Sequence, residues 1–178
     1  MNKNNKTLKE TFADAIISYK RNDLKNAEIL CYKILSIDPN HLDSISLLST
    51  VSAIQRDFLK AKELMEKALK IQPRNISYLS NLATAYQEMG NLKEAMHIYK
   101  QALEINPNHT NANYNLGLVF YKLGELKNAK NYLKKTVSIQ KNYALAFLSL
   151  GNVHTDLNEL KDSVSCYQKA IELNPSII

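Results

Sequence analysis

Few side chains in this sequence could do covalent or metal chemistry. The histidines are His41, His97, His109 and His154, and the cysteines are Cys31 and Cys166. A zinc site or an activated nucleophile needs such groups at set spacings. The chain has no His-Glu-x-x-His, no Cys-x-x-Cys, no P-loop and no Rossmann glycine set. No catalytic residue, metal ligand or cofactor is therefore expected, and the chain reads as a non-enzyme. Recognition chemistry is better represented. Asn111, Tyr114, Asn115, Leu118 and Tyr121 follow offsets of 3, 4, 7 and 10, which is one stripe of a helix. Phenol rings give contact area at low entropic cost, and carboxamides can hydrogen-bond an extended backbone; both suit the binding of a peptide. Lys127, Lys130 and Lys134 form a second, basic stripe at offsets of 3 and 4.

The basic stripe belongs to a charge imbalance. The net charge is +6, and residues 110–143 alone carry six Lys/Arg against one Asp/Glu. Positive charge that lies mainly in one segment argues against a uniform polyanion-binding surface. Only Tyr132 lies near the lysines, so they read as a solvated face and no nucleic acid partner is expected.

The elements that must position these residues are set by a period. Pro39, Pro73, Pro107 and Pro175 share a 34-residue register, and Gly90 with Gly124, and Gly117 with Gly151, lie one such period apart. A fixed period of this length marks a solenoid of repeated helix pairs. Small residues align in three columns: Ala27, Ala61, Ala95, Ala129 and Ser163; Ala15, Ser49, Ala83, Gly117 and Gly151; Ile34, Ala68, Ala102, Thr136 and Ala170. Helices approach closely only where such side chains stand between them. Asn22, Arg56, Gly90, Gly124 and Asn158 align where the first helix of each pair must end, and Arg56 is the residue type least suited to that end. His154 shares a column with Tyr86 and Phe120, and Cys31 with Met65, Tyr99 and Leu133, so both read as packing residues. The boundaries that follow are a polar segment 1–7 and five repeats, 8–41, 42–75, 76–109, 110–143 and 144–177.

Tyr114-Asn-Leu-Gly117, Phe120-Tyr-Lys-Leu-Gly124, Ala95-Met-His-Ile-Tyr99 and Ala102-Leu-Glu-Ile-Asn-Pro107 resemble the tetratricopeptide repeat family, in its bacterial-type arrays. The resemblance runs over residues 8–177. It implies an all-α, right-handed superhelical solenoid of antiparallel helix pairs whose first helices line a concave groove. The implied partner-binding residues are Asn81, Thr84, Asn111, Tyr114, Asn115, Leu118, Tyr121, Leu148 and Asn152, and the implied partner is a protein or peptide. Chaperone-binding members are similar to one another in a clamp of Lys and Asn that grips a terminal carboxylate. The matching sites here, among them Ser80, Thr84, Asn115, Leu145 and Ser149, hold no cation, so that ligand is not expected. Two departures stand out: Asn113 replaces a large apolar residue, and Thr11, Asp14 and Ser18 give the first helix a polar face suited to an N-terminal cap.

The expected role is a scaffold or adaptor. The alternative is a docking or substrate-recruiting module of a glycosyltransferase- or sulfotransferase-like enzyme, because residues 27–48 resemble the start of bacterial arrays that precede such domains. No stretch reaches the roughly 18 apolar residues of a membrane span and the polar start lacks a secretory core, so a cytoplasmic setting is expected. Tyr167, Ala170 and Ile171, with Ile177 and Ile178 beyond, suggest an uncapped apolar end open to self-association, or to continuation of the solenoid by a longer parent chain or a partner.

Overall fold

The computed structural model describes residues 7–177, so of the polar segment 1–7 only Thr7 is covered, and Ile178 also lies outside the described residues. Among the described residues there are ten α-helices and no strand. They are α1 (Leu8–Lys20), α2 (Leu24–Leu35), α3 (Leu42–Ile54), α4 (Phe58–Ile71), α5 (Ile76–Glu88), α6 (Leu92–Ile105), α7 (Thr110–Lys122), α8 (Leu126–Ile139), α9 (Ala144–Asp156) and α10 (Leu160–Leu173). The odd-numbered helices begin at 8, 42, 76, 110 and 144 and the even-numbered at 24, 58, 92, 126 and 160, so the 34-residue period of the sequence is a period of helix starts. The chain divides into two compact units, Met1–Met89 and Gly90–Ile178.

In the first unit α1 packs on α2, α2 on α3, α3 on α4 and α4 on α5. Local chemistry fixes the ends. Thr7 and Glu10 form a capping box at α1, and the Asp23 and Asp57 carboxylates accept the N–H of Asn26 and Lys60 at α2 and α4. Asn22 and Arg56 take the left-handed conformation after α1 and α3, with φ of 61° and 64°. Arg56 therefore adopts the helix-ending backbone despite a β-carbon that disfavours it. The small columns are buried, Ala15, Ala27, Ala61, Ala68 and Ala83 among them. Phe12, Ile16, Tyr19 and Leu24 close the core around Ala15, Ala27, Cys31, Leu47, Leu48 and Val51.

The expected polar cap on α1 is corrected here. Thr11 and Ser18 are buried, not turned to solvent. They can be, because their hydroxyls are satisfied: Thr11 Oγ1 donates to the Thr7 carbonyl at 3.0 Å, and Ser18 Oγ accepts from Asn26 Nδ2 at 2.8 Å.

The second unit repeats the plan: α6 packs on α7, α7 on α8, α8 on α9 and α9 on α10. Gly90, Gly124 and Asn158 are left-handed. Gly117 and Gly151 serve close approach instead. A β-carbon at 117 would come within 2.9 Å of Leu133 Cγ, and one at 151 within 2.5 Å of Tyr167 Cε1. Asn113 is fully buried and explains its departure from an apolar residue: its Nδ2 donates to the carbonyls of Pro107 and His109, both at 3.0 Å, pinning the turn that leads into α7.

The apolar end of α10 is also corrected. Tyr167 and Ala170 face inward; the Tyr167 ring lies against Gly151, its hydroxyl donates to Asn152 Oδ1 at 2.8 Å, and Ala170 is buried. The outward apolar residues of α10 are Leu160, Val164 and Ile171, which share one face at offsets of 4 and 11.

Ala95 and Ala129 have no exposed surface. Ala95→Leu or Ala129→Leu should each cost about 1–3 kcal/mol by overpacking. Thermal melts check this, and unchanged melting at both sites would contradict the packing register.

Candidate partner-binding site

The sequence-predicted residues fall into two places. Asn111, Tyr114, Asn115, Leu118 and Tyr121 lie on α7, and Leu148 and Asn152 lie on α9, two first helices that touch in the second unit. Asn81 and Thr84 lie on α5 of the first unit.

The α7 stripe has a clear physical origin. The core side of the helix is spent on Ala112, Asn113, Leu116, Val119 and Phe120, all buried. Asn111 is exposed, and Tyr114, Asn115, Leu118 and Tyr121 are half-buried. The helix therefore carries a second aromatic and amide face that its own packing leaves partly open. On α9 Leu145 is exposed, while Leu148, Ser149 and Asn152 are half-buried.

Contacts within this face order the rings. Tyr114 and Tyr143 have centroids 4.9 Å apart at an interplanar angle of 39°. The Tyr114 hydroxyl lies 3.4 Å from Ser149 Oγ. Burial first, then the neighbouring Tyr114, raises the Tyr143 phenol above its ordinary pKa. The Tyr121 hydroxyl donates to Asp156; that hydrogen bond, then burial, raises the Tyr121 pKa. Both phenols are thus neutral hydrogen-bonding groups at neutral pH. Asn152 is partly engaged, since its oxygen accepts the Tyr167 hydroxyl.

Tyr143 and Asp156 were not among the residues predicted from sequence. Tyr143 shares a column with His41, Asn75 and His109, which cap their helices by accepting a backbone N–H at 3.2 Å. A phenol in that column makes no side-chain cap bond, and its ring turns to Tyr114 instead. The column, compared by residue type, carried that signal. Asp156 left none, because an acidic residue at a helix end is ordinary. The turn histidines, His41 and His109, are thus helix caps whose Nδ1 must be unprotonated to accept.

Of the remaining histidines, His97 is exposed beside Gln101, and His154 is tied into packing. His154 is buried, and its Nδ1 donates to Glu159 Oε2 at 2.5 Å. Lys130 Nζ bonds the other oxygen, Glu159 Oε1, at 2.7 Å. The lysine first and the imidazole second hold the Glu159 carboxyl below its ordinary range. This carboxylate ties α8 to α9 and to the start of α10 and engages one lysine of the basic stripe. Tyr132 stacks on Phe120, centroids 5.4 Å apart, and not on the lysines. His154, Glu159 and Asp162 bring ligand-type atoms within 4.8 Å of one another. A cation there would compete with the Lys130 ammonium and meet the positive end of α10, so the cluster fits an ion pair better than a metal site. No helix among the described residues is long and apolar enough to cross a membrane.

Paired helices stacked through small-residue columns, with first helices that keep an open face, define an all-α helical repeat. Tetratricopeptide and TPR repeat families match residues 85–124, 110–143 and 144–177. The chain belongs to the tetratricopeptide repeat family. Residues 20–102 match the family described as anaphase-promoting complex, cyclosome, subunit 3, over less than half of the chain. No curated protein matches the chain by sequence. Among solved structures, MamA is 22% identical over 90% of this chain and 94% of its own, with a TM-score of 0.79. YrrB, described as a TPR protein with an unusual peptide-binding site, is 22% identical over 98% of this chain and 90% of its own, with a TM-score of 0.72. PilF of Pseudomonas aeruginosa is 22% identical over 94% of this chain and 76% of its own, with a TM-score of 0.85. At these identities the likeness speaks for the fold.

Cys31 is fully buried, and burial first, then the Glu28 charge, pushes its thiol up to about 11. It should resist a thiol reagent at pH 8 in the native protein and react on denaturation, as counted by mass spectrometry. Rapid native labelling at Cys31 would contradict its packing role.

Proposed function

We propose that this chain is a protein-interaction scaffold that holds a segment of a partner protein against the α7–α9 face of its second unit. The observation that carries the reading is that α7 buries one complete apolar face and still presents Tyr114, Leu118 and Tyr121 half-exposed on another. Packing needs only the first face. Half-buried rings held by Tyr143 and Asp156 lose little further freedom on binding, which favours them as anchors. Asn111 and Asn115 beside them can pair with an extended backbone. YrrB supports the reading as a protein of this fold described as having a peptide-binding site. In the first unit Asn81 and Thr84 would serve a face of their own. The structural units in this reading are the five repeats 8–41 to 144–177. The setting is cytoplasmic, in keeping with two free thiols.

The test begins with capture of a partner from native lysate and its identification by mass spectrometry. Tyr114→Ala combined with Tyr121→Ala should weaken that partner's binding by roughly 2–4 kcal/mol while the helical circular dichroism persists. Unchanged affinity in the folded double variant would refute the assignment.

A second reading rests on α10. Its Leu160, Val164 and Ile171 are 60%, 53% and 41% exposed. One period earlier, Leu126 and Val137 of α8 are half-buried, and α8 packs on α9. These three residues form one exposed apolar face, and a second copy of the chain would cover it. Light scattering should show dimer at micromolar concentration and monomer for Ile171→Glu. A chain that stays monomeric at hundreds of micromolar would contradict self-pairing.

A further inference from the structure

A recess of about 110 Å³ opens between α3, α4 and α5 of the first unit, with Thr50, Ala53, Thr84 and Ala85 in its wall and the exposed Asn81 on its lining. Water fills about 30 Å³ per molecule in the liquid, so the recess has room for three or four waters but little to bond them. Its hydroxyls are already spent on backbone carbonyls: Ser49 Oγ donates to Ala61, Thr50 Oγ1 to Ser46 and Thr84 Oγ1 to Ser80, at 3.1, 3.0 and 2.9 Å. With those oxygens engaged, much of the wall is left to alanine and threonine methyl groups.

The same register elsewhere in the chain shows what belongs there. One period earlier, between α1, α2 and α3, Ile16, Tyr19 and Leu47 stand where Thr50, Ala53 and Asn81 stand, and they pack into the core. Two periods later, between α7, α8 and α9, Leu118, Tyr121 and Val153 stand where Thr50, Ala53 and Ala85 stand. The first site is filled by the chain's own large side chains, and the second carries large side chains at the matching positions. Around Thr50 and Ala53 such apolar side chains are withheld, as they are one period later at Thr84 and Gln87.

We infer that this recess is a specificity pocket for one uncharged aliphatic side chain, of leucine or valine type, carried by an extended peptide segment whose backbone Asn81 hydrogen-bonds. The inference rests on the reading that first-helix faces of this protein take peptide segments, and it assigns the chemistry that the first unit selects. A charged side chain would be desolvated against methyl groups with no partner, and a glycine would leave the void unfilled.

The probe is N-acetyl-leucine-N-methylamide, titrated into the full isotope-labelled chain and followed by amide NMR. Saturable shifts should appear at Thr50, Ala53, Asn81 and Ala85. The blocked aspartate and blocked glycine analogues should leave these amides unmoved. Ala53→Tyr, which installs what the chain itself uses at 19 and 121, should abolish the response; Thr50→Leu serves the same purpose should that variant not fold. Asn81→Ala should weaken the leucine probe roughly three- to tenfold, the loss of one hydrogen bond. Absence of shifts with the leucine probe, an equal response to the aspartate probe, or persistence of the shifts in a folded filled-pocket variant would overturn the inference. Such a failure would leave the Tyr114 and Tyr121 test in the second unit standing, so the two readings fall separately.

Discussion

Everything in this structure depends on how closely two helices can approach. Ala27, Ala61, Ala95, Ala129 and Ser163 are buried at the same place in successive pairs, and Gly117 and Gly151 admit Leu133 and Tyr167 to distances at which a β-carbon would collide. Close packing of this kind is as dense as a crystal interior, so a single added methylene is felt. It has a second consequence. A first helix that satisfies its packing with one narrow stripe has residues to spare on another. On α7 those spare positions hold Tyr114, Leu118 and Tyr121, and on α3 they hold Thr50 and Ala53. One packing rule thus yields an aromatic face in one unit and an apolar recess in the other.

The turns matter because the close approach must recur in register. Left-handed residues at 22, 56, 90, 124 and 158 end the first helices, and His41, Asn75 and His109 begin later ones by accepting a backbone N–H. Burial lowers the His109 pKa below its ordinary value. Because the folded pKa lies below the unfolded one, the stability linked to keeping this imidazole neutral is present above the ordinary imidazole pKa and is lost as pH falls through the lowered, folded pKa. The same proton would occupy the atom that caps α7.

The helix register was legible because it is written in residue types with few structural alternatives: proline, glycine and alanine at a fixed period. So were the buried places of Cys31 and His154, since Met65, Tyr99 and Leu133 share the column of the first, and Tyr86 and Phe120 stand in that of the second. What escaped was decided by partners distant in sequence. Thr11 and Ser18 look like a solvent face until Thr7 and Asn26 are seen to satisfy them. Tyr167 looks outward until the space left by Gly151 is seen to receive it. Tyr143 joins the candidate site only through its tilted ring contact with Tyr114, and the recess is an absence, visible only by comparing Thr50 and Ala53 with the larger residues in register.

The central claim is that the first-helix faces, not the second helices, carry recognition. Hydrogen–deuterium exchange of the chain with and without its captured partner tests it most directly. The account predicts slowed exchange in 110–122 and 144–156, with 126–139 unchanged. Protection confined to 126–139, where the lysine stripe lies, would contradict it.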